Sequence, residues 1–152
     1  MMPRSSLTSR PLWRCPRCER QFINPNMPHS CGKYSVKQFL AGKSPHAIAL
    51  YEHFSALLHE CGPVKIAPAK TRVGFQVRMI FAAVNKLSDR GIEAHVVLTR
   101  RLKSPRFRRI ETMTAKCYVH HFKLESLSEI DEEVKAWLCE AYLVGTQQHL
   151  NR

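Results

Sequence analysis

Around residue 62 the hydrophobic period of the chain switches from helical to two, which few architectures accommodate. Upstream, Ile48, Tyr51, Phe54, Leu58 and Cys61 recur at helical spacing behind Ser44 and Pro45, an N-cap followed by a first-turn proline. Gly62-Pro63 stops that helix. Downstream, in TRVGFQVRMIFAAV, Val73, Phe75, Val77, Met79 and Phe81 alternate with Arg72, Gly74, Gln76, Arg78 and Ile80. That alternation predicts a half-buried strand, or two with a kink. SDRG at 88–91 reads as a turn, IEAHVVLTR as the next strand and KCYVHHFKL as a later one, with the basic stretch RRLKSPRFRRI between them as a loop. SVKQFLAG reads as a short helix, because Ser35 and Gln38 have capping-box spacing and Gly42 can end it. Ser126 and Glu129 repeat that spacing before Ile130, Val134, Trp137, Leu138 and Ala141, a second amphipathic helix ending near Gly145.

Three to five consecutive strands joined by short turns, with helices before and after, predict an α+β fold. Its sheet is mostly antiparallel with the helices packed on one face. Cys61, Cys117 and Cys139 fall on apolar faces and read as core residues.

Ahead of this domain lies WRCPRCERQFINPNMPHSC, in which Cys15, Cys18, His29 and Cys31 follow a Cys-x2-Cys-x10-His-x-Cys spacing. Two thiolates on one turn and a returning His/Cys pair can surround one ion tetrahedrally, and zinc suits that donor set. Four protein ligands leave no open position, so such a zinc is structural. A Cys-x-x-Cys redox pair is the alternative, but no βαβ pattern surrounds it. The predicted organisation is a flexible basic tail over 1–12, a zinc knuckle over 13–34 and a single α+β domain over 35–152.

Charge supplies the functional expectation. The chain of 152 residues has 24 Lys and Arg against 12 Asp and Glu, net +12, with a pI near 9.8. Residues 125–152 hold two basic and six acidic side chains, so an acidic segment follows a strongly basic body. Such a field attracts nucleic acid or another polyanion. The candidate contacts are Arg14, Arg17 and Arg20 beside the cysteines, Lys70, Arg72 and Arg78 around the first strands, and Arg100, Arg101, Arg106, Arg108 and Arg109 in the basic loop. A solvated basic rim, partly paired with the acidic C-terminal helix, is the competing reading.

The strand region holds three carboxylates, Asp89, Glu93 and Glu111, and Glu133-x-Lys135 lies on a predicted helix, where a nuclease-type motif does not belong. No glycine-rich phosphate loop, nucleophile elbow or dinucleotide fingerprint is present. These absences favour a non-enzymatic protein. A small enzyme or ligand-binding domain with an Arg/His pocket on the sheet, using His95 with His120 or His121, stands as an alternative. So does an interaction module for an acidic protein partner. His120 and His121 are adjacent on a strand and point to opposite faces. The first fourteen residues lack an apolar leader, and no apolar run approaches a membrane span, so a cytoplasmic location without membrane contact is expected.

The stretches WRCPRC…HSC, LYEHF…GPVKIAPAKTRVGFQVR, HVVLTRRL and YVHHFKL…EIDEEVKAWLCEAY resemble a bacterial domain-of-unknown-function family. The resemblance implies an N-terminal Cys-Cys-His-Cys zinc knuckle and a C-terminal α+β domain that also occurs next to nuclease-like domains. It implies no established activity. It places Lys70, Thr71, Arg72, Arg78, Arg100, Arg101, His120 and His121 at recurrent polar positions. Glu19 departs from the glycine usual after the second knuckle cysteine.

Overall fold

The structure, a computed structural model, describes residues 11–17, 19–22 and 34–147. The predicted helical period closes as expected. Ser44 Oγ accepts from the Ala47 amide, Pro45 occupies the first turn, and helix α2 runs Pro45–Cys61. Its buried side is Ala47, Leu50, Tyr51, Phe54, Leu57 and Leu58. It stops at Gly62, where φ is 148° and an added Cβ would lie 2.6 Å from the Tyr142 hydroxyl. Before it, α1 (Val36–Leu40) carries the complete Ser35/Gln38 capping box.

Six strands form one sheet: β3 (Lys65–Pro68), β4 (Val73–Gln76), β5 (Ile80–Ser88), β6 (Gly91–Leu98), β7 (Phe107–Thr114) and β8 (Cys117–Leu124). Their order is β3-β4-β5-β6-β8-β7, and each pairing is antiparallel. Of the one strand, or two with a kink, expected over 71–84, two strands form, but they reverse into a hairpin rather than continue through a kink. The chain reverses at 77–79, with Val77 N–H donating to the Met79 carbonyl, and β4 pairs with β5 through a register shift after Phe75. Two strands add to the expected set. β3 precedes the alternation, and β7 begins inside the stretch read as a loop.

After a short 3-10 turn at Leu127–Glu129, α3 (Glu132–Gly145) closes the domain. The Ser126/Glu129 box caps that 3-10 turn, and α3 has its own N-cap, Asp131, whose side chain accepts from Val134 N–H. Helices α2 and α3 both pack on β5 and β6. Phe54, Phe75, Phe122, Leu98, Leu138 and Trp137 fill the layer between them and the sheet. Trp137 is 3% exposed, as its helical spacing predicts.

One cysteine expectation is overturned. Cys61 and Cys139 are not two independent core thiols but a disulfide joining the end of α2 to the middle of α3. Cys117 remains a free buried thiol. No helix among the described residues is long and apolar enough to cross a membrane.

Candidate anion-binding face

Because side chains alternate along a strand, the positions that skip the core in β5, β6, β7 and β8 share the opposite side of the sheet. On β6 and β8, Ala94, Val96, Leu98, His120, Phe122 and Leu124 are buried under the helices. Glu93, His95, His121 and Lys123 therefore face the other way, as do Lys86, across from Glu93, and Arg109, across from His121. α2 lies on the other side, but the last turn of α3 reaches one end of this one, where Val144 packs with Val97 and Cys117. At its β3–β4 end a small antiparallel hairpin, β1 (Trp13–Arg14) with β2 (Gln21–Phe22), rests on it. Gln76 Nε2 donates to the Gln21 carbonyl at 2.6 Å, Arg20 donates to Gln76 Oε1 at 3.2 Å, and Lys65 Nζ donates to Gln21 Oε1 at 3.1 Å.

A polar row crosses the middle of the face. Asn85 Nδ2 donates to His95 Nδ1 at 2.8 Å, which puts the proton of the neutral ring on Nε2. The His95 and His121 ring centroids are 5.5 Å apart, and His121 Nε2 donates to Glu111 Oε1 at 2.6 Å. Arg109 reaches the same carboxylate at 3.5 Å. Burial, and then the charges of His121 and Arg72, hold His95 down to about 4. Glu111 is held below the usual carboxylate range, first by its hydrogen bond from His121.

His120 points into the core, opposite His121, as the alternation predicts. It is fully buried, its Nε2 accepts from Leu102 N–H at 3.0 Å, and its Nδ1 lies 3.1 Å from the Tyr118 carbonyl. The ring is therefore neutral with its proton on Nδ1, and it pins the β6–β7 connection. Burial lowers its pKa, so it is a structural group rather than a partner for His95.

The arginines of the 100–109 stretch divide. Arg100 makes a two-pronged pair with Glu140 at 2.9 Å, which raises its pKa. Arg106 lies over the Trp137 ring and bonds Glu133, Asp131 and the Glu129 carbonyl. Burial works against the charge of Arg106, but the two carboxylates outweigh it and raise its pKa. Both arginines are thus turned to α3, as the rim reading expects. Arg101 stacks on Tyr118 and bonds Thr112, and Arg108 is exposed.

Arg72, Gln76 and Arg78 do not form one exposed patch. Arg78 sits in the β4–β5 turn, donating through Nε to Gln147 Oε1 at 2.9 Å, while Gln76 is buried under the hairpin. Arg72 and Lys70 are exposed in the β3–β4 turn. Lys86 and Lys123 were missed from the sequence, whose basic group over 65–78 did include Lys65. The signal for them was available in the same alternation that placed His95 and His121, once β5 is delimited.

Of the expected zinc ligands, Cys15 is buried at the head of the β1–β2 hairpin. Its amide donates to the Arg20 carbonyl, and its own carbonyl accepts from Glu19 N–H, each at 2.8 Å. Glu19 has φ of 63°, the left-handed conformation that a glycine would take freely. Cys18, His29 and Cys31 lie outside the described residues. Among the described residues no group of three or more His, Cys, Asp or Glu is arranged to hold a metal ion. Arg14 and Arg17 are exposed on this turn.

These features define an α+β domain with one helix-covered face and one face rich in cationic and imidazole side chains. A family model described as Domain of unknown function (DUF5655) matches residues 36–145, well over half the chain, and the chain belongs to that family. No curated protein and no solved structure matches it significantly.

Proposed function

We propose that this is a non-enzymatic nucleic-acid-associated protein that holds phosphates on the side of its sheet away from α2. One observation carries the reading: the two faces differ in charge. Asp131, Glu132, Glu133 and Glu140 lie on the helix side, where Arg100 and Arg106 answer part of them. Lys65, Lys86, His95, Arg109, His121 and Lys123 lie on the other side with two carboxylates, Glu93 and Glu111. A sugar-phosphate backbone laid on that side meets cations and hydrogen-bond donors with little carboxylate to repel it. No helix is offered to a groove there, so contacts would be to phosphate and largely independent of sequence.

The test is binding to DNA and RNA of matched length at stepped salt. Affinity is expected to fall steeply as salt rises. The triple variant Arg72→Gln/Lys86→Gln/Lys123→Gln should weaken binding to all sequences alike and flatten the salt slope by up to about one unit per lost contact. Absence of binding at low salt would end this reading.

The proposal includes a structural zinc held by Cys15, Cys18, His29 and Cys31. The buried Cys15 thiol on a tight hydrogen-bonded turn supports it, since a knuckle of this size needs a staple in place of a core. Metal analysis should find one zinc per chain, lost in Cys15→Ser while the sheet domain stays folded. A metal-free protein with unchanged hairpin signals would refute it. A second reading, a small enzyme or ligand-binding domain, is favoured by the His95–His121–Glu111 row. Unchanged behaviour of His95→Gln and His121→Gln in every binding and turnover assay would remove it.

A further inference from the structure

At the end of the sheet farthest from β1–β2's contact with Gln76, three chain segments enclose a depression of about 630 Å³. The α1–α2 connection brings Lys43, the β3–β4 turn brings Lys70 and Thr71, and the end of β5 brings Lys86 and Ser88, with Gln38 on the rim. The lining holds three ammonium groups and no carboxylate. None of the three lysines makes an ion pair among the described residues, unlike Arg100, Arg106 and Arg109. The nearby Asp89 carboxylate is occupied by the Ser44 hydroxyl.

Three unpaired ammonium groups from separate segments repel one another. Among the described residues no carboxylate lines the depression; the Phe39 ring under Lys43 and the Ser44-bonded Asp89 carboxylate nearby offset that repulsion only in part, so a bound anion of high charge is the natural complement. Hydroxyl and amide donors beside the ammonium groups suit an oxyanion with several acceptor atoms.

We propose that this depression is a binding site for a phosphate monoester. The dianionic group sits among Lys43, Lys70 and Lys86, with Thr71 and Ser88 as hydroxyl donors. The ester could belong to a free mononucleotide-sized molecule or to the 5′-phosphorylated end of a nucleic-acid strand. The site goes beyond the phosphate-backbone reading of the open face, since it recognises a terminal group and uses two lysines off that face.

The experiment titrates the full chain with inorganic phosphate, adenosine 5′-monophosphate, adenosine, and one short oligonucleotide with and without a 5′-phosphate. Backbone amide shifts at Thr71, Ser88 and Gly42 report binding. Saturable shifts with phosphate and the monophosphate but not with adenosine are expected. The Lys43→Gln/Lys70→Gln variant, whose fold is checked by the unchanged remaining spectrum, should weaken them at least tenfold. Tighter binding of the monophosphate than of the phosphorylated oligonucleotide assigns a free ligand, and the reverse assigns a strand end. No saturation by any phosphorylated probe, or equal binding by the variant, overturns the proposal. The two readings fail separately. Loss of long-strand binding in Arg109→Gln/Lys123→Gln, neither of which lines the depression, tests the face, whereas Lys43→Gln/Lys70→Gln with end-phosphate probes tests the depression.

Discussion

Single side chains set how this domain responds to acid. The pKa of His95 is pushed down to about 4 by burial, and that of His120 is also lowered, so both bind a proton more readily unfolded than folded. A histidine depressed in the fold contributes nothing adverse above its unfolded value near 6.5 and destabilises as pH falls from there toward the folded value. Stability should therefore drop between pH 6.5 and 4, by up to about 3 kcal/mol from His95 alone at 1.36 kcal/mol per pKa unit. Glu111 and Asp131 are depressed carboxylates, so their losses come lower, below pH 4.5. Denaturant melts at pH 7, 5.5 and 4.5 should give a smaller drop in His95→Gln than in the parent, and equal drops would show that His95 is not the titrating group. At residue 19 the direction is opposite. Glu19→Gly should relieve the left-handed backbone by about 0.5–1 kcal/mol and slow amide exchange at Cys15 and residue 19. The ion pair from Glu19 to Arg14 spans 3.8 Å on an exposed surface and contributes little against that.

Elements were legible in proportion to how far their signals were local. Ser35/Gln38 and Ser44/Pro45 cap α1 and α2 as read, because each cap bond joins residues three apart, Ser35 with Gln38 and Ser44 with Ala47. The apolar spacing of α3 identified its buried side, but its start was misplaced. Ser126/Glu129 satisfies the spacing rule while capping only a 3-10 turn, and the chain re-enters the helix at Asp131. The hairpin at 77–79 was hidden because alternation continues through the reversal, and only pairing across the sheet reveals it. The disulfide was invisible for the same reason. Cys61 and Cys139 are 78 residues apart, and nothing local distinguishes a paired cysteine from a packed one. That cross-link closes a long loop and ties α2 to α3, so a reductant or Cys61→Ser/Cys139→Ser should lower unfolding free energy by about 2–4 kcal/mol. Thiol counting under denaturing, non-reducing conditions checks its presence, and a reduced, equally stable protein would refute the estimate.

At the scale of the molecule, the sheet separates two fields of opposite sign, and this was only half legible. The sequence marked an acidic C-terminal segment on a basic body and offered its pairing with the basic rim as one reading, but not that Arg100 and Arg106 would be the arginines that pair while Lys65, Lys86 and Lys123 gathered on the other face. A sheet and its packed helices are about 10 Å apart, which exceeds the roughly 8 Å Debye length at 0.15 M ionic strength but not the roughly 30 Å length at 0.01 M. Charges on the helix side should therefore be felt by a polyanion on the open face only at low salt. Arg100→Gln and the triple variant Arg72→Gln/Lys86→Gln/Lys123→Gln then behave differently as salt rises. Near 0.01 M both should weaken nucleic-acid binding. Near 0.15 M Arg100→Gln should bind within about twofold of the parent, whereas the triple variant should remain weaker than either, by a smaller factor than near 0.01 M because its salt slope is flatter. Fluorescence anisotropy with one labelled duplex at both salts makes the comparison. If Arg100→Gln loses as much as the triple variant at 0.15 M, the polyanion lies on the Arg100–Glu140 side and the assignment of faces is reversed.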